Sequence, residues 1–271
     1  MDRLAVLLRH YTLSTDVFHT GQFCGQMAYD GAHGYLHLLR SGAVSVSSDL
    51  HPPLHLTEPC LLLYPRQARH IFVASEGSVA DLICARIDLG SVAGSPIAYA
   101  LPDILHLPLA SMQGMKATMD LLVEESNGEL CGRQAAMNRL CELLLIHLLR
   151  YLMNSESAPT GLLAGLADKR LAKAITAMHE QPAEAWTLEE MADAAGMSRA
   201  RFAASFRETV GCTPGAYLAA WRINLACKHL RQGKPVAWTA DAVGYGSATA
   251  LARAFRANTG QSPAQWLKTA D

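Results

Sequence analysis

Apolar and polar positions change rhythm along the chain. Between residues 12 and 100, short apolar stretches such as YLHLLRSGAVSVS, PCLLLYPRQARHIFV and VADLICARIDLG are broken repeatedly by Gly, Pro and Ser. Runs this short, bounded by turn residues, predict the strands and hairpins of a compact all-β unit. From Ala110 the apolar residues recur at helical spacing instead, and two helices are expected, 110–125 and 132–153. The second spreads Met137, Leu140, Leu144, Ile146 and Leu148 over more than one stripe, so it is either packed on two sides or used to pair two copies of the chain. The stretch NSESAPTG, 154–161, has the composition of a linker, and the segment after it reads as a succession of helices.

The helical segment carries its own punctuation. Thr187 and Glu190 in TLEE form a capping box, and Ser198, Thr213, Ser247 and Ser262 are further N-cap candidates. Pro214 and Pro263 stand at first helical positions, where a missing N–H costs nothing, and Gly196, Gly211, Gly244 and Gly260 stand where helices stop. An offset of 49 residues pairs Ser198 with Ser247, Phe202 with Leu251, Phe206 with Phe255, Arg207 with Arg256, Gly211 with Gly260, Pro214 with Pro263 and Tyr217 with Trp266. Each copy reads as a short helix, a glycine turn, a capped second helix and a closing helix. In the second helix of each copy the apolar residues four apart, 202 and 206 or 251 and 255, turn inward and leave the intervening positions outside.

Half of the 271 residues are apolar, enough for two cores. No apolar run approaches the roughly 20 residues of a membrane span. The N-terminus MDRLAVLLRHYTL lacks a small-residue cleavage site, so a cytoplasmic protein without a membrane partner is expected. The seven cysteines form no CxxC, which argues against disulfides and zinc fingers. Charge is uneven: residues 1–164 hold 10 Lys/Arg against 15 Asp/Glu, and 165–271 hold 13 against 9. A basic half suits a polyanionic partner.

A helix that shows small residues and arginines outward fits the DNA major groove, and two of them on one chain can read successive groove segments about 34 Å apart. On WTLEEMADAAGMSRARFAASFRETVGCTPGAYLAAWRINLACKHL and VAWTADAVGYGSATALARAFRANTGQSPAQWLK, the stretch 168–270 resembles the C-terminal DNA-binding domain of the AraC/XylS transcription regulators. The resemblance implies base-facing positions at Arg199, Ala200, Ala203 and Ala204 in the first copy, and at Ser247, Ala248, Thr249, Ala250 and Arg253 in the second. Alanine can touch a thymine methyl but donates no hydrogen bond, so Arg199, Thr249 and Arg253 are expected to carry most polar base contacts. Phosphate anchoring is assigned to helix N-termini and to Arg201, Arg207, Arg222 and Arg256. The sequence departs from the family at Thr239-Ala240, where a bulky Trp238 precedes the pair, which is expected to bear on how the second copy seats. The implied partners are double-stranded promoter DNA, RNA polymerase, an effector and a second copy of the chain.

In that family the N-terminal domain senses a signal and controls dimerisation. Here PRQARH, 65–70, resembles the second cupin motif, with Gln67 where the motif has Gly, Pro59 where a turn glycine belongs, and no Glu following His37 at ligand spacing. A catalytic cupin metal would need about three histidines and a carboxylate converging inside the barrel. His33 and His37, four apart, are expected on one strand face with His70 within reach. No metal, cofactor or catalytic residue is assigned. The position of Cys84 resembles that of a cysteine in cupin-type AraC regulators responsive to reactive chlorine or electrophiles, and Cys24 is a second, glycine-flanked thiol. The plainer reading makes Cys60 and Cys84 strand-interior fillers. Cys24, Cys84, His37 and His70 are thus the effector or redox candidates, with a small organic ligand as the alternative signal.

The expected molecule is a two-domain α+β protein. Residues 1–155 form a cupin-like β-barrel for sensing and dimerisation, with accessory helices, and 165–271 form an all-α DNA-binding domain with two helix-turn-helix units. Its expected function is that of a non-enzymatic transcription regulator, an activator. The rival reading is a cupin-type metalloenzyme with a helical appendage.

Overall fold

The computed structural model describes residues 2–74, 79–90, 95–155 and 160–269, so positions 156–159 of the expected linker lie outside the described residues. The strands are β1 (Ser14–Phe23), β2 (Gln26–Asp30), β3 (Gly34–Ser41), β4 (Val44–Ser48), β5 (His51–Leu56), β6 (Cys60–Tyr64), β7 (Arg69–Ala74), β8 (Ala80–Asp88) and β9 (Leu105–Pro108). The helices are α1 (Ala5–His10), α2 (Pro96–Tyr99), α3 (Lys116–Asn127), α4 (Arg133–Asn154), α5 (Leu162–Ala167), α6 (Leu171–Glu180), α7 (Leu188–Ala195), α8 (Arg199–Val210), α9 (Pro214–Arg231), α10 (Val236–Ala242), α11 (Ala248–Thr259) and α12 (Pro263–Thr269). They fall into two compact units, one of residues 12–74, 79–90 and 101–155, the other of 2–11, 95–100 and 160–269.

The first unit is sheet-rich. Strands β1-β8-β3-β6-β9 form one antiparallel sheet and β2-β7-β4-β5 the other. Alternation along β3 and β6 sends Tyr35, Leu39, Cys60, Leu62 and Tyr64 into the core shared with Tyr29, Val44, Val46 and Phe72 of the second sheet. Leu36, Leu38, Leu61 and Leu63, on the alternate positions, are also fully buried, so these strands are covered on both faces. β1 slips register between Val17 and His19. There α4 bonds the Val17 backbone: its N–H donates to Asn138 Oδ1 (2.9 Å) and its carbonyl accepts from Gln134 Nε2 (2.6 Å).

In the helical unit the expected caps are largely in place. Thr187 and Glu190 close a capping box, while Thr213 and Ser247 accept from the N–H groups of Ala216 and Ala250. Ser262 accepts from the Gln265 N–H. Ser198 differs from expectation: it stands at the N-cap of α8, yet among the described residues its side chain makes no capping bond. Residues 2–11 also pack here. Val6 and Leu7 are buried, the Arg3 guanidinium donates to the carbonyls of Leu166 (2.7 Å) and Ala167 (2.8 Å), and Lys228 Nζ donates to the His10 carbonyl (2.7 Å). An apolar six-residue helix is too short to stand alone and gains its stability by covering larger helices. The longest apolar helix, α4, buries Met137, Leu144 and Leu148 as expected of a core stripe, and Leu143 remains exposed.

Candidate nucleic-acid interface

Two modules of equal build follow each other in the helical unit. The first is α7, a turn at Gly196, and α8; the second is α10, a turn at Gly244, and α11. α8 and α11 are each 12 residues long and start 49 residues apart. Both end on a left-handed glycine, Gly211 (φ 85°, ψ −3°) and Gly260 (φ 77°, ψ −8°), whose N–H returns to the carbonyl of Arg207 or Arg256. A side chain is strained in that backbone region, so glycine is the natural stop.

The same match holds in the packing. Phe202, Phe206, Leu251 and Phe255 are wholly buried. Phe206 meets Tyr217 edge-on at 5.5 Å and 70°, and Phe255 meets Trp266 at 5.7 Å and 70°. With those faces anchored inward, the opposite faces must point out. Arg199, Ala200, Arg201, Ala204 and Arg207 are exposed on α8, with Ala203 half-buried among them. Around α11, Ser247, Thr249, Arg253 and Arg256 are exposed, while Ala248 and Ala250 are half-buried. Among the described residues none of these five guanidinium groups forms an ion pair, so their charge is uncompensated at short range. Small side chains at 200, 203, 204, 248 and 250 leave the helix backbone open to close approach, and the arginines flank it.

Arg222 does not join this surface. Its guanidinium is turned inward from α9, where Nε donates to the Pro182 carbonyl and Nη2 to that of Glu184, both at 2.7 Å, and it lies 5.7 Å from the Tyr245 ring centroid. The expectation of a phosphate contact is thereby corrected: both carbonyls are held by the planar fork, which suits two acceptors at once. A Cβ at Gly244 would fall 2.7 Å from Ala183 Cα, so the turn of the second module rests directly on the loop that Arg222 grips in the first. Arg222 and Gly244 therefore fix where the two modules meet, a role that the spacing of the repeat alone did not reveal. Trp238 does not disturb the second core: it is 48% exposed, edge-on to His229 with Lys234 Nζ 5.4 Å from its centroid, while Thr239 and Ala240 take the buried positions.

The barrel-unit candidates separate. His37 and His70 meet, with their Nε2 atoms 2.9 Å apart. His70 Nδ1–H donates to the Ala68 carbonyl, so its Nε2 accepts from His37, and the buried Nδ1 of His37 is left without a partner. The His70 ring lies stacked between Tyr29 (4.4 Å) and Tyr64 (4.1 Å), and His37 packs on Phe72. Burial pushes His70 down to about 4 and His37 well below its ordinary range, because a charged imidazole would lose its water there. His33 does not reach them. It is exposed in the turn before β3, off the strand on which it was expected. Among the described residues no three His, Cys, Asp or Glu side chains stand close enough to hold a metal ion.

Cys84 is fully buried beside Tyr29 Oη (3.5 Å), and burial pushes its thiol up to about 12. Cys24 is exposed. No helix among the described residues is long and apolar enough to cross a membrane.

Comparison with known proteins accounts for both units. Residues 2–154 match the cupin family and residues 191–269 the helix-turn-helix domain. A putative AraC-like transcription regulator of Streptomyces lividans is 36% identical, across 76% of this chain and 69% of its own length. The RCS-specific transcriptional activator RclR of Escherichia coli is 27% identical over 85% of this chain and 82% of its own. Among solved structures, the DNA-binding domain of the global transcriptional factor AdpA in complex with a target DNA is 30% identical, over 38% of this chain and 93% of that one, with a TM-score of 0.35. The protein belongs to the AraC family of DNA-binding transcription regulators, with a cupin-like N-terminal domain.

Proposed function

We propose that the chain is a one-component activator: the barrel unit receives a signal, α3 and α4 pair two copies, and α8 and α11 read two groove segments of a promoter and present the complex to RNA polymerase. The observation that carries this reading is the pair of matched helices with outward, uncompensated arginines. Arg199, Thr249 and Arg253 are the base-reading side chains. Arg201, Arg207 and Arg256, together with the helix N-termini, hold phosphates, and Ala200, Ala203, Ala204, Ser247, Ala248 and Ala250 line the approach. Pairing through α3 and α4 is supported by Leu121 and Leu143, which are 53% and 39% exposed on these helices. The family supports a regulator that works without catalysis in the cytoplasm.

For the signal, an oxidant or electrophile is one reading and a small organic molecule the other. The first is supported by likeness to a relative named as an RCS-specific activator and by the exposure of Cys24. Cys84, protonated and enclosed, would react only after the barrel opens; Cys24 is the thiol an oxidant meets first.

A promoter fragment drawn from sites mapped across the genome tests both statements. Binding should weaken steeply with salt, because neutralised phosphates release counterions. Arg199→Ala with Arg253→Ala should abolish sequence preference, and retention of it would refute the assignment of the reading helices. If hypochlorite changes the affinity of the wild type but not of Cys24→Ser, the oxidant reading stands; an unchanged response in both Cys24→Ser and Cys84→Ser leaves the small molecule.

A further inference from the structure

One cleft in the helical unit has no part in DNA reading. It has a volume of about 340 Å³ and is walled by Tyr99, Val210, Cys212, Tyr217, Trp221 and Asn224, with small and aliphatic residues between them. A volume in this range suits a small ligand. Among the described residues no Lys, Arg, His, Asp or Glu lines it, so a charged ligand would lose its hydration without finding a counter-charge there. Three walls are aromatic. Two polar groups stand ready: among the described residues the Asn224 amide has no hydrogen-bond partner, and Trp221, 2% exposed, keeps its indole N–H unpaired. An unpaired buried donor is costly, and a ligand acceptor within its reach would relieve that cost. Cys212 contributes a thiol that burial raises above its ordinary pKa, which makes it part of the wall and a poor nucleophile.

The position of the cleft matters as much as its lining. Val210 is the last residue of α8, and Tyr217, Trp221 and Asn224 lie on α9, the helix that braces α8 from behind. At the rim the Gly161 N–H donates to the carbonyl of Thr209 (3.0 Å), tying the end of α8 to the start of α5. A molecule in the cleft would touch the end of a reading helix and its brace together.

We propose that this cleft is an effector site for a neutral, planar aromatic molecule carrying a hydrogen-bond acceptor, separate from any signal received by the barrel. Occupancy holds α8 against α9 and so restrains the first reading helix. The cleft binds whether or not the barrel senses an oxidant.

The test uses the full chain and prodan, a neutral naphthalene ketone whose emission shifts to the blue in apolar surroundings. Saturable binding of one prodan per chain is expected, with the anionic 1-anilinonaphthalene-8-sulfonate binding more weakly. Ala220→Phe, at an exposed wall position, fills the cleft and should weaken prodan at least tenfold. Asn224→Leu keeps the shape and loses the amide, and should weaken it by about 3- to 10-fold, the worth of one hydrogen bond. Hydrogen exchange should slow in residues 205–224 and stay unchanged in 34–41 and 60–74. Absence of saturable binding, unchanged affinity in a normally melting Ala220→Phe chain, or protection in the barrel strands in place of 205–224 would each overturn the proposal. None of these outcomes depends on the promoter or on Cys24.

Discussion

The two helix-turn-helix modules are alike where the sequence repeats and unlike in what surrounds them. Their second helices, glycine stops and edge-on aromatic pairs correspond residue for residue at the 49-residue offset. Behind Tyr217, however, lies a buried aromatic layer. His179 Nε2 bonds the Tyr217 hydroxyl at 2.6 Å, the His179 ring stacks on Trp221 at 3.8 Å, and Tyr11 closes edge-on at 5.7 Å. Behind Trp266, the equivalent residue, stands the exposed Arg231, with its guanidinium 4.9 Å from the ring centroid. A duplicated sequence thus reproduces its local geometry, because caps, stops and i to i+4 packing are decided within a dozen residues. Embedding is decided by whatever other segments arrive. The first module is set into the body of the helical unit and the second closes on a surface arginine.

That contrast is open to breakage, most strongly by acid. Burial pushes His179 down to about 3, and the equivalent position 228 in the second module is a lysine. The unfolded chain takes up a proton near pH 6.5 that the folded module refuses until about pH 3. The stability that neutral His179 contributes is present above pH 6.5 and lost progressively as pH falls through that window, by a few kcal/mol in all. All four tryptophans lie in the helical unit, so their fluorescence follows its unfolding apart from the barrel. Replacing His179 and Tyr217 together by Phe removes the titrating group and its partner at once. The acid-induced loss between pH 6.5 and 3 should then shrink in urea titrations followed by that fluorescence, and an unchanged loss would show that His179 is not its source.

Next in size is the joint between the modules. Arg222→Ala takes the donor from the Pro182 carbonyl and leaves the Glu184 carbonyl with the Trp186 N–H alone, and should cost about 1–3 kcal/mol in thermal melts. Arg222→Lys should not restore it, since one ammonium cannot reproduce the two-pronged fork. DNA affinity should fall with both variants if the joint sets the separation of the reading helices. The smallest effect is the most specific. Ser247→Ala removes a real capping bond and should cost about 1 kcal/mol, whereas Ser198→Ala should lie within a few tenths, because Ser198 caps nothing. Equal losses at the two positions would mean that the modules start their reading helices alike after all.

The chain is most legible where its information is local. The capping box at Thr187 and Glu190, the left-handed stops at Gly211 and Gly260, and the inward pairs 202/206 and 251/255 are all visible as short-range pattern. Local pattern misleads where a side chain has distant options. Arg222 looks like any basic residue near a DNA-binding helix, but its partners stand 38 and 40 positions away in the chain. His33 and His37 have the spacing of one strand face, but β3 begins at Gly34 and leaves His33 in the turn.

The amino-acid order by itself therefore determined the two kinds of unit, the duplicated module, and which residues of α8 and α11 face outward, because period, caps and stops act over a few residues. Only the tertiary structure decided that residues 2–11 join the helical unit, that His37 and His70 bury their imidazoles against each other, and that Arg222 serves as a joint. Those outcomes depend on which desolvated group finds a partner from a remote segment, and that choice is made only when the whole chain packs.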